Sequence, residues 1–183
     1  MLACKAELER HGVTVVASRT KDEDDPVGQE VKEANASKAD IAVSFHNNAG
    51  GGDGSETFYY GTSEKGKKLA QLCEKHTKEL GQNSRGVKDG SKLYFVKNTT
   101  MPAVLCESAF LDNKTDVKII DTVAEQQKFG VAYAKAILEY LGIAYKAPST
   151  KVYRVQVGAY ANKTTAEKVA KELKTKGYEA IIV

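Results

Sequence analysis

Two short stretches carry the side chains best suited to chemistry. In the run Met-Pro-Ala-Val-Leu-Cys-Glu-Ser-Ala-Phe-Leu-Asp-Asn, residues 101–113, an apolar segment ends on Glu107. A carboxylate is disfavoured there, because it loses hydration and needs a partner. A strand that delivers one carboxylate into its own apolar surroundings builds a candidate general base. A Glu107 that simply pairs with Lys or Arg at a sheet end fits the same residues equally well. In the second stretch, Ala42 to Gly50, a strand-like run ends in His46 and a Gly-rich loop. Neutral imidazole in that position can bind zinc, and glycines let a substrate approach closely. A His satisfied at a strand end, with Asn47, Asn48 and the glycines serving as turn residues, is the competing reading. Together the two stretches point to a metal-and-carboxylate hydrolase site at the ends of two strands.

The other reactive residue types add little. His76 falls on a helical apolar stripe and reads as a core-edge histidine. His11 sits at a helix C-terminus, where positive charge is favoured. Neither has ligand spacing to His46. Cys4, Cys73 and Cys106 are odd in number, lack CxxC spacing and lie in apolar settings, so buried thiols are expected rather than a disulfide framework or a nucleophile. Asp22 to Asp25 reads as a solvated acidic loop. No dinucleotide, P-loop, serine-elbow or HExxH pattern is present.

The elements that must position Glu107 and His46 follow from periodicity. Helices are expected over Met1–Arg10, Pro26–Lys38, Glu64–Leu80, Lys114–Ile120 and Ala124–Leu141, with His11-Gly12, Gly81 and Gly142 as stops. Strands are expected over Val13–Ala17, Ala39–Phe45, Glu56–Tyr60, Leu93–Val96 and Ala103–Glu107, and a flexible loop over Ala49–Gly54. Strands alternating with helices predict an α/β fold, a three-layer sandwich whose mixed, mostly parallel sheet is flanked by helices. Beyond Ala147-Pro-Ser-Thr, a strand over Val152–Val157, a helix over Thr164–Thr175 and a strand over Glu179–Val183 make a small C-terminal βαβ module.

With 183 residues and 42% hydrophobic composition the chain has enough apolar side chains for a real core. Its net charge of +3 is that of an ordinary surface and points only weakly to an anionic partner. The first residues lack the apolar run of a signal peptide, and no stretch is long enough to span a membrane.

In sequence order, Ser44 to Ala49, Gly54 to Tyr60, Asn83 to Lys88 and Pro102 to Asn113 resemble the zinc-dependent N-acetylmuramoyl-L-alanine amidases of the type 3 family. Val13 to Thr20 looks like that family's second strand. The resemblance implies a cell-wall hydrolase, autolysin or endolysin, that cuts the amide between N-acetylmuramic acid and L-alanine in peptidoglycan. It implies Zn2+ held by two His and one Glu, with His46 as the second His ligand and Glu107 as the catalytic Glu. No other cofactor is implied. Residues 152–183 resemble one repeat of a peptidoglycan-binding SPOR domain. The expected organisation is a catalytic domain over 1–143, a linker over 144–151 and the half SPOR domain over 152–183. The expected partner is peptidoglycan, met by a monomer at the cell wall or outside the cell, with no nucleic-acid or membrane partner. The family opens with an Asp-Pro-Gly-His-Gly strand and a Glu ligand, and the chain begins after both. The alternative expectation is therefore a catalytically inactive peptidoglycan-binding protein that lacks two zinc ligands.

Overall fold

The computed structural model describes residues 1–148, 156–178 and 180–182. They divide into two compact units, Met1–Lys146 and Ala147–Val183.

In the first unit, capping side chains predict where the helices start. Ser63 Oγ accepts the Gly66 N–H at the start of α3 (Glu64–Lys78). Asn113 Oδ1 accepts from Thr115 and Asp116 at the start of α5 (Lys114–Ile120). Thr122 and Glu125 form a reciprocal capping box on α6 (Val123–Leu141), and Gly142 closes that helix at φ 73°. Each device satisfies backbone N–H or C=O groups that a helix end leaves free. The shorter helices are α1 (Leu2–Arg10), α2 (Val27–Ser37) and α4 (Tyr94–Asn98).

Four strands, β1 (Ala42–Asn48), β2 (Ser55–Tyr59), β3 (Ser84–Asp89) and β4 (Ala103–Phe110), form one sheet in the order β1-β4-β2-β3. The pairs β1–β4 and β2–β3 are parallel, and β2–β4 is antiparallel. The sheet is thus mixed and mostly parallel, as expected. Val104, Cys106 and Ala109 pack one face against Leu69, Cys73, Phe129, Ala134 and Leu138 of α3 and α6, with Cys4 and Leu8 of α1 joining them. On the opposite face Ala42 and Ala103 meet Val31 of α2 with Phe95 and Val96 of α4. Helices therefore cover both faces, giving the three layers.

Several expectations change. Val13–Ala17 is extended, with residues alternately half-buried and exposed, but forms no ladder with any described strand. Its β-branched alternation supplies a strand-like surface, and Val13 and Val15 use it to pack on the core. Leu93–Val96 belongs to a helix instead. A short apolar run has no period to separate strand from helix, and here a turn from Gly90 to Leu93 starts the helical ladder. Ser84–Asp89 is a strand that its charged composition hides, at a sheet edge where polar residues are tolerated. β1 begins later and ends later than expected, so His46 lies inside the strand rather than after it.

In the second unit α7 (Lys163–Thr175) is capped by Asn162 and has no buried residue. The expected flanking strands fall largely outside the described residues. Gln156, Val157 and Ala180–Ile182 are not in strand.

Candidate active site

Parallel register between β1 and β4 places His46 opposite Glu107, and antiparallel register between β2 and β4 places Glu56 opposite the same Glu107. Directly opposed residues share a sheet face. His46, Glu107 and Glu56 therefore form one row across three strands. Cys106 points to the helical core on the other side. The row lies towards the C-terminal ends of the parallel pair β1 and β4, where α/β sheets commonly place ligands.

Each of the three carboxylates near this sheet has a different environment, and the difference separates their roles. Glu74 reaches from α3 into the core face, where Thr57 donates to Oε1 (2.7 Å) and Ser55 and Ser84 donate to Oε2 (3.0 and 2.6 Å). It is buried and fully satisfied, which marks it as structural. Glu56, only 6% exposed, receives Asn48 Nδ2 on Oε1 at 2.9 Å and Arg85 Nε on Oε2 at 2.8 Å. Glu107 is half-buried, and its Oε2 is enclosed with no hydrogen-bond partner. Lost hydration first, and then the neighbouring Glu56 charge, push the Glu107 pKa up. A carboxyl group with an idle enclosed oxygen and a raised proton affinity is suited to take up and return a proton.

His46 lies at the surface of the row, with Nε2 2.9 Å from Ser44 Oγ. Partial desolvation, followed by the charge of Arg19, lowers its pKa and keeps the ring neutral near pH 7.

The Gly-rich loop between β1 and β2 is pinned rather than free. Gly50 and Gly51 N–H groups donate to Asp112 Oδ2 at 2.8 and 2.7 Å. Gly54 N–H and Phe110 N–H both donate to Asp116 Oδ2, at 2.9 and 2.7 Å. Asn113 Nδ2 donates to the Gly52 carbonyl. A Cβ at Gly52 would lie 2.2 Å from the Phe110 ring, so only glycine fits there. The loop expected from its glycines is thus tied to the end of β4 by the acidic turn that follows Phe110.

Sequence reasoning singled out His46 and Glu107, and the fold sets them side by side. It missed Glu56 and Arg85 as neighbours of Glu107. The only signal for Glu56 was a lone carboxylate in an apolar strand; Arg85 was hidden in a strand not recognised.

Residues 2–139 match the family described as N-acetylmuramoyl-L-alanine amidase. The chain belongs to that family. Residues 130–183 match the SPOR domain, overlapping the end of the amidase match. The chain is similar to the N-acetylmuramoyl-L-alanine amidase CwlM of Bacillus licheniformis, at 29% identity over 96% of this chain and 69% of the relative. It is also similar to the sporulation-specific N-acetylmuramoyl-L-alanine amidase of Bacillus subtilis (strain 168), at 28% identity with the same coverage. Among solved structures, the catalytic domain of CwlV, an N-acetylmuramoyl-L-alanine amidase of Bacillus (Paenibacillus) polymyxa var. colistinus, superposes with a TM-score of 0.72. That match has 30% identity and covers 78% of this chain and 81% of that one. Membership makes the chain a cell-wall hydrolase of the amidase class, carrying a SPOR match at its C-terminal end.

The amidase family is generally zinc-dependent, and catalytic zinc takes three protein ligands. Among the described residues no group of three His, Cys, Asp or Glu side chains converges on a metal position. His46 is a single imidazole beside Ser44, and both Glu56 oxygens already accept hydrogen bonds. The described residues do not by themselves complete the zinc site that the amidase family implies.

Proposed function

We propose that this amidase hydrolyses the amide between N-acetylmuramic acid and L-alanine in peptidoglycan, with Glu107 as the residue that moves the proton. Glu107 takes a proton from the attacking water and returns it to the leaving amine of L-alanine. The observation that carries this reading is the enclosed, unpartnered Oε2 of Glu107 in register with His46. His46 is assigned as one ligand of Zn2+, since its ring is exposed, neutral and adjacent to Glu107. The chain acts as a monomer at the cell wall. Its catalytic domain spans 1–143, its linker 144–151 and its SPOR-like repeat 152–183, and the repeat contributes wall affinity.

Amino groups released from purified cell wall are the direct readout. Glu107→Gln keeps the shape and removes proton transfer, so release falls on the order of 100-fold or more. Undiminished release by that variant sinks the role of Glu107. Metal content measured on the same preparations reports on His46: about one zinc per chain, lost in His46→Ala, supports the ligand assignment, and equal metal in both removes it.

The absence of a three-donor group among the described residues supports a second reading, a wall-binding protein without hydrolytic activity. It predicts co-sedimentation with purified wall and no released amino groups.

A further inference from the structure

We propose that Arg85 is the anion-recognising residue of the substrate site, receiving a carboxylate that the stem peptide carries next to L-alanine. The inference rests on the amidase reading above and extends it to a substrate class, an acidic rather than an amidated peptide.

Arg85 belongs to β3, two strands from Glu107, and reaches back over β2. Its Nε donates to Glu56 Oε2 at 2.8 Å, and the second Glu56 oxygen is anchored by Asn48. The guanidinium carbon lies 5.1 Å from the centroid of the Phe110 ring. Phe110 is 4% exposed, and the Gly52 backbone packs closely against its ring. A buried carboxylate and a buried ring thus restrain the guanidinium, which limits the side-chain entropy a ligand would otherwise have to remove.

Fixing the group does not exhaust it. A guanidinium has five N–H donors. Only Nε has a partner among the described residues, and the side chain is 41% exposed. The terminal nitrogens therefore remain free at the surface in the forked geometry that receives a carboxylate through two parallel hydrogen bonds. Their location follows from the sheet: Glu56, which holds Arg85, is the register partner of Glu107. A substrate whose scissile amide sits at Glu107 therefore lies beside the carboxylate that holds this guanidinium. Glu56 offsets part of the Arg85 charge, and Glu56 and Glu107 leave this part of the row acidic, so an anionic peptide meets Arg85 here, while the charge of Arg19 is felt at His46.

Binding tests the assignment without requiring turnover. The probes are L-alanyl-γ-D-glutamyl-L-lysine and its α-amide, which differ only in the carboxylate at issue, titrated into the full chain by calorimetry. The wild type binds the acid more tightly, on the order of tenfold, as expected for one charge-assisted bidentate contact. R85Q removes the preference. R85K, which keeps the charge but cannot hold Glu56 and a carboxylate in one plane, retains only a small part of it. Far-ultraviolet circular dichroism of both variants verifies that they fold. Equal affinity of the wild type for the two peptides, binding of neither, or an unchanged preference in R85Q each overturns the proposal. Release of amino groups from cell wall by the same wild-type preparation separates such a failure from a failure of the amidase reading, since hydrolysis persists if only the assignment of Arg85 is wrong.

Discussion

Three glutamates meet at one small sheet, two on its strands and Glu74 reaching in from α3, and what distinguishes them is how many of their oxygens are satisfied. Glu74 has three hydroxyl donors, Glu56 has an amide and a guanidinium, and Glu107 has an enclosed oxygen with none. Stability and function should therefore divide between them. Glu74→Ala leaves the buried Thr57 hydroxyl without its acceptor and weakens the bonding of Ser55 and Ser84, so it should cost about 1–3 kcal/mol in urea unfolding. Glu107→Gln removes a partly desolvated charge and its repulsion with Glu56, so the same measurement should show no loss, within about 1 kcal/mol, or a gain. A destabilisation by Glu107→Gln as large as that of Glu74→Ala would mean that Glu107 is structural. The buried thiols fit the same logic, since burial raises the Cys4 pKa to about 12 and keeps it an inert apolar group.

At the level of elements, the acidic turn after β4 decides the shape of the site rim. Asp112 accepts two backbone N–H groups of the Gly-rich loop, first Gly50 and then Gly51, and these lower its pKa below the usual aspartate range. A folded-state pKa below the unfolded value means that the interaction is fully present above the unfolded pKa and is lost as pH falls through the folded one. The Gly50 and Gly51 amides should keep constant chemical shifts from neutral pH down to about pH 4, the ordinary aspartate value, and move only below it. Asp112→Asn should abolish that acid transition. A transition centred at neutral pH would show that another group holds the loop. The register shift between His46 and Asn48 is a second such element: it breaks the β1–β4 pairing just after the row, beside Asn48, which donates to Glu56.

Across the whole molecule the two units differ in how they are built. Met1–Lys146 contains two apolar clusters, one on each face of its sheet. In Ala147–Val183 no described residue is buried, and α7 presents all its residues at least partly to solvent. Without buried apolar contacts local opening is cheap. Amide hydrogen exchange in α7 should therefore run far faster than in α6, whose Ala134, Ala136 and Leu138 are fully enclosed. Protection of α7 equal to that of α6 would show that the second unit has a cover of its own in solution. No helix among the described residues is long and apolar enough to cross a membrane.

Much of this protein was legible before folding, because it rests on local chemistry. Helical periodicity with the Gly81 and Gly142 stops gives α3, α5 and α6 to within a few residues, and the folded chain caps them with Ser63, Asn113 and Thr122, whose side chains satisfy N–H groups only two or three residues away. The apolar runs of β1 and β4, ending near His46 and on Glu107, mark the two reactive residues for the same reason: an ionisable group in an apolar strand is costly wherever the strand goes. What the tertiary structure alone decided is adjacency. The order β1-β4-β2-β3 sets Glu56 beside Glu107, and pairing across distant strands leaves no periodic trace in sequence. The edge strand β3 reads as polar because one side of it faces no strand, and so Arg85 stayed hidden until β2 drew it to Glu56. Val13–Ala17 shows the converse, a strand pattern without a ladder, because alternation specifies a surface while only a neighbouring strand supplies the hydrogen bonds.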